Sequence, residues 1–299
     1  MRPTVANEPE RRIPPERILL ASDFSCVSDT ALKYAATFAR YFGSRLYVAH
    51  VSESKLAATF SPANDPRQAS SYFDRGINRL SQENAIIGGV PFSFSSEQGP
   101  LWPAISNLIE KNDIDLLVLG SSGRSGLAKL LFGSKADELL IHANCPLLIS
   151  GPETANENPT GFVPRTILCA TDFTVRSKVS ADYACRMAEQ LHASLLFVHV
   201  IDEGSEERLS LKLPPSEFFS ERWQENHCAP SHFPSGSIFM VEYGPLEDRI
   251  VELANRLSVG LVVLGLNQGS HLPWVTHMPG PRAYDVAAHS CCPVLAVPA

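Results

Sequence analysis

Short, continuous apolar runs alternate along this chain with segments whose apolar residues recur every three or four positions. Arg17–Ala21, Leu46–Val51, Leu116–Leu119 and Leu147–Ile149 are runs of the first kind. Their length and lack of polar alternation predict strands covered on both faces, as in a parallel sheet. Ala31, Ala35, Phe38 and Phe42 share one helical face, and Gly43 supplies a stop. Ala136, Leu139, Leu140 and Ala143 share another, on a helix opened by Gly133-Ser134 and ended by Cys145-Pro146. Helices near Tyr72–Ile86 and Leu101–Lys111 and a strand near Pro91–Ser96 complete five βα units. Strict alternation of this kind predicts an α/β fold, a doubly wound open parallel five-stranded sheet with helices on both faces. Ser54–Ser71 is polar, with Pro62 and Pro66, and reads as a long loop able to cover a site.

The pattern then repeats. Ile18-Leu19-Leu20-Ala21-Ser22-Asp23-Phe24 returns as Ile167-Leu168-Cys169-Ala170-Thr171-Asp172-Phe173, and Ala49-His50-Val51 as Val198-His199-Val200, both 149 residues on. Gly99-Pro100-Leu101 and Val118-Leu119-Gly120 return 145 residues on, and Cys145-Pro146 returns 147 on as Cys292-Pro293. The second copy has thus lost four residues before its third helix and regained two in the loop that follows. The expected organisation is a disordered tail over 1–15, a first domain over 16–150, a linker over 151–164 and a second domain over 165–299.

Composition narrows the function classes. The chain has 299 residues, enough for two cores of about 150 residues each. A net charge of −7 argues against a broad nucleic-acid or anionic-membrane surface. Seven cysteines with no C-x-x-C make neither a disulfide framework nor a zinc site. No apolar run reaches the roughly 18 residues of a membrane span, and the first residues lack the apolar core of a signal peptide. A cytoplasmic protein is the expectation, with no nucleic acid and no membrane among its partners.

The stretch after the fourth strand carries the chemistry. Gly120, Gly123, Gly126 and Gly133 let the backbone approach an anion, and the helix opening at Gly133-Ser134 offers free N–H groups. The motif is neither G-x-x-x-x-G-K-[ST] nor G-x-G-x-x-G. A phosphate cradle and a plain glycine-rich turn are both readings of the glycines alone. The spacing Gly120-x2-Gly123-x9-Gly133-Ser134 resembles the nucleotide loop of ATP-binding universal stress proteins. The following helix and Cys-Pro strand are also similar to that family. The resemblance covers nearly all of the chain outside tail and linker, as a tandem, two-domain member with an adenine-nucleotide alpha-hydrolase-like fold.

That resemblance implies a ligand and its contacts. ATP, with Mg²⁺, would bridge the strand ends and the loop. Main-chain groups of Ala21 and Val51 would meet adenine, and Asp23 would lie beside the adenosine. Gly120, Ser122, Gly123, Arg124, Gly133, Ser134 and Lys135 would surround the phosphates, with Arg124 the cation facing them and Lys129 on the solvated surface. For Asp23 the alternative is an N-cap of the first helix. His50 and His199 end their second strands, and the repeat of position suggests a buried hydrogen-bonding role.

The second loop departs from this pattern. Gly265-Leu266-Asn267-Gln268 answers Gly120-Ser121-Ser122-Gly123, and Gly280-Pro281-Arg282 answers Gly133-Ser134-Lys135. Proline there deletes an N–H that a phosphate would use. His271, Trp274, His277 and Met278 are bulky where the first loop is small. The second site is therefore expected to be lost or altered. No G-x-S-x-G, H-E-x-x-H, S-G-G-x-D-S or H-x-G-H occurs, so no catalytic set is legible. The leading expectation is a regulatory protein, not an enzyme, that acts in stress response by nucleotide-dependent interaction with a protein partner the sequence does not name. Slow ATP hydrolysis or autophosphorylation at the same cradle, and a nucleotide-free interaction module, are the alternatives. Each domain ends on an apolar strand after Cys-Pro, and in the family that strand lies at a sheet edge, where unpaired backbone groups seek partners. The two last strands are expected to pair within one chain, as the two subunits of a single-domain dimer would. A homodimer of such chains is left open.

Overall fold

The computed structural model describes residues 12–52, 88–121, 139–156 apart from 141, 163–201, 213–266 and 282–299. Ten strands form one sheet: β1 Arg17–Ala21, β2 Arg45–Ser52, β3 Phe92–Gln98, β4 Leu116–Gly120 and β5 Leu147–Ser150 in the first half. The second half supplies β6 Thr166–Ala170, β7 Ser194–Ile201, β8 Ile238–Tyr243, β9 Leu261–Leu266 and β10 Val294–Pro298. Their order is β3-β2-β1-β4-β5-β10-β9-β6-β7-β8. Each half is thus a doubly wound five-stranded parallel sheet, with its chain reversal between β1 and β4 or between β6 and β9. β3 runs two residues beyond the expected Ser96. The predicted helix near Tyr72–Ile86 lies outside the described residues, and so does most of the tail.

The strands read as continuous apolar runs because both faces are covered. Ile18 and Leu20 point into one core and Leu19 into the other. The first core lies under the helices Cys26–Phe42, Val175–Leu191 and Pro215–Glu225, and the second under Leu101–Asn112, Leu246–Arg256 and Arg282–His289. The helix Cys26–Phe42 starts at Ser25, whose hydroxyl accepts from Ser28 N–H, and stops at Gly43 with φ 72°. Its copy starts at Thr174 in the same way but stops at His192, also left-handed at φ 51°. The repeated Gly-Pro-Leu has an equally local cause. Gly99 and Gly244 turn the chain at φ 128° and 127°, where a side chain would be strained, and Pro100 and Pro245 then cap the next helix.

The two halves meet through their last strands, the one antiparallel join in the sheet. Ile149 faces Val294, Leu148 faces Leu295 and Leu147 faces Ala296. Leu148 and Leu295 are repeat equivalents, 147 residues apart, so a local twofold passes through that pair. Tyr41 obeys the same symmetry, since its Oη donates to the carbonyl of its own equivalent, Gln190, at 3.1 Å. Both cores run unbroken across the junction, with Leu148 and Leu295 in one and Leu147, Ile149, Val294 and Ala296 in the other.

The start of the linker is part of this junction. Gly151–Asn156 does not leave the body of the protein as an extended tether. Pro152–Asn156 makes a 3-10 turn, and Thr154 is fully buried with its hydroxyl donating to the Gly151 carbonyl at 2.6 Å.

Candidate functional site

The carboxyl ends of β2, β1 and β4 lie side by side, because the register pairs Ala21 with Ala49 and with Leu119. Ala21, Asp23, Val51 and Gly120 therefore share one rim of the first half, the rim where open α/β sheets hold ligands. Ser122, Gly123, Arg124, Gly133, Ser134 and Lys135 lie outside the described residues, as do Lys129 and the second loop from Asn267 to Pro281.

The turn after β1 is built from side-chain hydrogen bonds. Ser22 Oγ accepts from Phe24 N–H at 3.1 Å, and Asp23 Oδ1 accepts from Ser25 N–H at 3.0 Å and from Ser28 Oγ at 2.5 Å. These bonds hold Phe24 at φ 60°, a left-handed conformation unusual for a bulky residue. Its ring stacks on His50 with centroids 5.0 Å apart. The Nδ1 of His50 lies 2.9 Å from the Ser22 carbonyl. A carbonyl only accepts, so Nδ1 carries the hydrogen. The position of His50 is thus explained, although it is half-buried rather than buried.

The N-cap is Ser25, not Asp23. Asp23 braces the turn one step earlier, and its carboxylate is exposed at the rim. Partial enclosure by protein pushes the Asp23 pKa up, but hydrogen bonds from Ser25, Ser28 and the backbone outweigh this and hold it below the usual carboxylate value. Asp23 is therefore an anion at neutral pH.

The second copy rebuilds this turn with one exchange, the hydroxyl on Asp172 Oδ1 being that of Thr174 at 2.7 Å while Ser177 Oγ lies 3.0 Å from Thr171 Oγ1. Thr171 Oγ1 accepts from Phe173 N–H at 3.1 Å, Asp172 Oδ1 from Thr174 N–H at 3.1 Å, and His199 Nδ1 donates to the Thr171 carbonyl at 2.8 Å. Phe173 is again left-handed, at φ 58°. Asp172 is also held low, burial again opposed by stronger hydrogen bonds. The repeated Ser/Thr-Asp-Phe-Ser/Thr thus needs no ligand to account for it. Sequence reasoning missed the strained phenylalanine, although a bulky residue repeated between an aspartate and a hydroxyl was the available signal.

Gly120 also has a structural cause. A Cβ there would lie 2.7 Å from the Val27 carbonyl oxygen, because the first helix crosses close over the end of β4. Gly120→Ala should therefore shift that helix and cost about 1–3 kcal/mol, as overpacking does. A urea titration checks this, and an unchanged midpoint would contradict it. At Gly265 the same crossing is looser, with Ser180 Oγ 3.2 Å from the added Cβ.

The copies differ at the ends of their fourth and fifth strands. Ser121 and Ser150 are 2% and 1% exposed, yet neither hydroxyl has a hydrogen-bond partner among the described residues. The strand ends are joined only by backbone, Ser121 N–H to the Ser150 carbonyl at 2.8 Å. Leu266 and Val297 occupy these places in the second copy, both buried. A buried hydroxyl left unpaired would cost about 1–3 kcal/mol, and the apolar pair in the second copy carries no such cost. The second turn is also more covered. Phe218 on the helix Pro215–Glu225 packs 5.7 Å from Phe173 and 5.8 Å from His199, and both are buried.

Among the described residues no helix is long and apolar enough to cross a membrane, and no group of three or more His, Cys, Asp or Glu comes together to hold a metal.

A duplicated, doubly wound sheet with a polar rim at its chain reversal defines an α/β protein of the class that holds ligands at such a rim. The chain belongs to the universal stress protein family, whose family model matches residues 15–150 and 164–298. A universal stress protein of Methanocaldococcus jannaschii is 28% identical over 138 residues, 45% of this chain and 81% of that protein. One of Mycobacterium tuberculosis is 28% identical over 189 residues, 61% of this chain and 63% of that protein. The crystal structure of a universal stress protein from Archaeoglobus fulgidus shares the fold, with a TM-score of 0.66 at 17% identity over 95% of this chain and 98% of that one.

Proposed function

We propose that this chain is a regulatory ATP-binding protein with one nucleotide site, in its first half, and that it acts in stress response by nucleotide-dependent interaction. The observation that carries the reading is the unequal end of the fourth strand. The first copy keeps Gly120-Ser121-Ser122-Gly123 and two buried hydroxyls without a partner among the described residues, while the second has Gly265-Leu266-Asn267-Gln268 and buried Leu266 and Val297. A ligand-facing rim kept polar in one copy and filled in the other is what a single working site requires.

The described residues fit the adenosine end of such a ligand. Ala21 and Val51 are half-buried at adjacent strand ends, and the exposed Asp23 carboxylate is charged and braced beside them. Gly120 ends β4, and the loop that follows supplies Ser122, Gly123, Arg124, Gly133, Ser134 and Lys135 for the phosphates. Mg²⁺ would enter with those phosphates, as it usually does where a protein offers few ligands of its own. The role is binding rather than turnover, and a purified protein that hydrolyses ATP at a rate abolished by loop substitutions would make it an enzyme instead.

Arg124→Ala tests the phosphate end. A charge-assisted bond lost there should weaken ATP by about 1.5–3 kcal/mol while leaving adenosine nearly unchanged. Equal weakening of both ligands would mean that the substitution had damaged the fold. Mass spectrometry of the denatured protein should also release a co-purified adenine nucleotide.

A further inference from the structure

The ten-stranded sheet has two ends, β3 and β8, and they are finished differently. β3 sets Ser93, Ser95, Ser96, Glu97 and Gln98 around Phe92 and Phe94, so its edge is largely polar. β8 reads Ile238-Phe239-Met240-Val241-Glu242-Tyr243. Its one charged side chain, Glu242, is met by Arg256 at 3.3 Å. No lysine, proline or extra residue interrupts its register with β7, and those are the devices that usually keep an edge strand from pairing. Ile238 and Tyr243, at its two ends, are 55% and 38% exposed. Among the described residues no strand lies beyond β8.

The backbone of β8 fixes what can pair there. In a parallel ladder each residue turns its N–H and C=O to one side, and successive residues alternate. Gly244 donates its N–H to the Ile201 carbonyl of β7 at 3.0 Å. Met240 and Glu242 therefore bond inward, and Phe239, Val241 and Tyr243 turn their backbone groups outward. Place a second β8 antiparallel to the first, with a twofold at Val241. Phe239 then meets Tyr243 on either side of the axis, outward backbone to outward backbone, with both side chains on one face of the sheet. On that face Phe239 already stacks on Phe197, with centroids 5.8 Å apart and planes 8° from parallel. The Tyr243 of a second copy extends this aromatic cluster.

We propose that the β8 edge is an interaction surface for a second copy of this chain, docked antiparallel, β8 to β8, about a twofold at Val241. The outward backbone groups form a regular ladder only with an extended strand. The aromatic face calls for an apolar strand with no charge at its centre, and β8 itself meets both conditions. β3 in its place would set serines against Phe239 and Tyr243, and pairing β8 with β3 builds an open row of molecules rather than a closed pair. The molecule already joins two apolar edges in this manner at β5 and β10, where Leu148 faces Leu295 across a local twofold. The product is a pair of chains with the serine-rich β3 at each outer end.

Val241→Pro tests the surface directly. The Val241 N–H points away from β7, so proline removes the bonds at the axis and spares the ladder within the chain. Sedimentation and native mass spectrometry of the intact parent should show a dimer, and Val241→Pro should raise its dissociation constant at least about tenfold. Gly99 donates to the Ser52 carbonyl at 3.0 Å, which turns Ser96 outward on β3, and Ser96→Pro should leave the dimer unchanged. Tyr243→Lys keeps the backbone of β8 and should also weaken the dimer, so the test survives if the proline variant fails to fold. Hydrogen exchange needs no substitution: the amides of Phe239 and Val241 should be better protected in concentrated protein than in dilute. A parent that stays monomeric at every concentration, a dimer untouched by either β8 substitution, or one broken by Ser96→Pro would overturn the proposal.

Discussion

Replacing Leu148 by lysine should undock the two halves. Leu148 is 0% exposed, faces Leu295 across the local twofold, and belongs to a core that crosses the junction. Removing a buried leucine side chain alone costs about 2–5 kcal/mol. The ammonium adds the penalty of an unpaired charge in an apolar site, several kcal/mol more unless it escapes to water. Escape requires that the strands part. The sum is comparable with the whole stability of a typical domain, about 5–15 kcal/mol. The expected result is loss of a single cooperative unfolding transition and rapid proteolysis between residues 156 and 163. A Leu148→Lys variant that unfolds like the parent and resists protease would refute the β5–β10 junction as the structure places it.

The second large effect concerns the nucleotide. Gly123→Val combined with Gly133→Val should abolish ATP binding, an affinity loss of at least about a hundredfold, or roughly 2.8 kcal/mol. In the proposed site, β-branched side chains at both glycines would keep the backbone from the phosphates, and the charge of Arg124 would not restore that approach. The fold should survive, since both substitutions lie outside the strands and helices that make the two described cores. The equivalent second-half variant, Gly280→Val, should leave ATP binding unchanged. Circular dichroism of the parent type with ATP affinity lost is the expected pair of readings.

What was legible in the sequence follows from the range of the forces involved. The strand runs and helix faces were readable because periodicity is local and both faces of each strand are buried. Even the docking of the last strands was legible, since two apolar, uncharged edges in a duplicated chain have few other places to go. The need for glycine at Gly151 was not, because its cause is the Ala287 carbonyl more than a hundred residues away, whose oxygen would stand 1.7 Å from an added Cβ. The linker's first turn was missed for the same reason, as Thr154 is buried by helices from both halves. At the rim, the family resemblance placed Ala21, Asp23, Val51 and Gly120 together, but composition could not say that Asp23 braces a left-handed Phe24. Nor could it say that Gly120 is needed by Val27. Ser121 and Ser150 look like ordinary serines until their burial is known.

The measurement that tests the central claim most directly is a calorimetric titration of the intact chain with ATP and Mg²⁺. The account expects one site per chain, lost in the Gly123→Val, Gly133→Val variant and retained in Gly280→Val. Two equivalent sites, no site in the parent, or a single site that persists when both glycines of the first loop are replaced would contradict it.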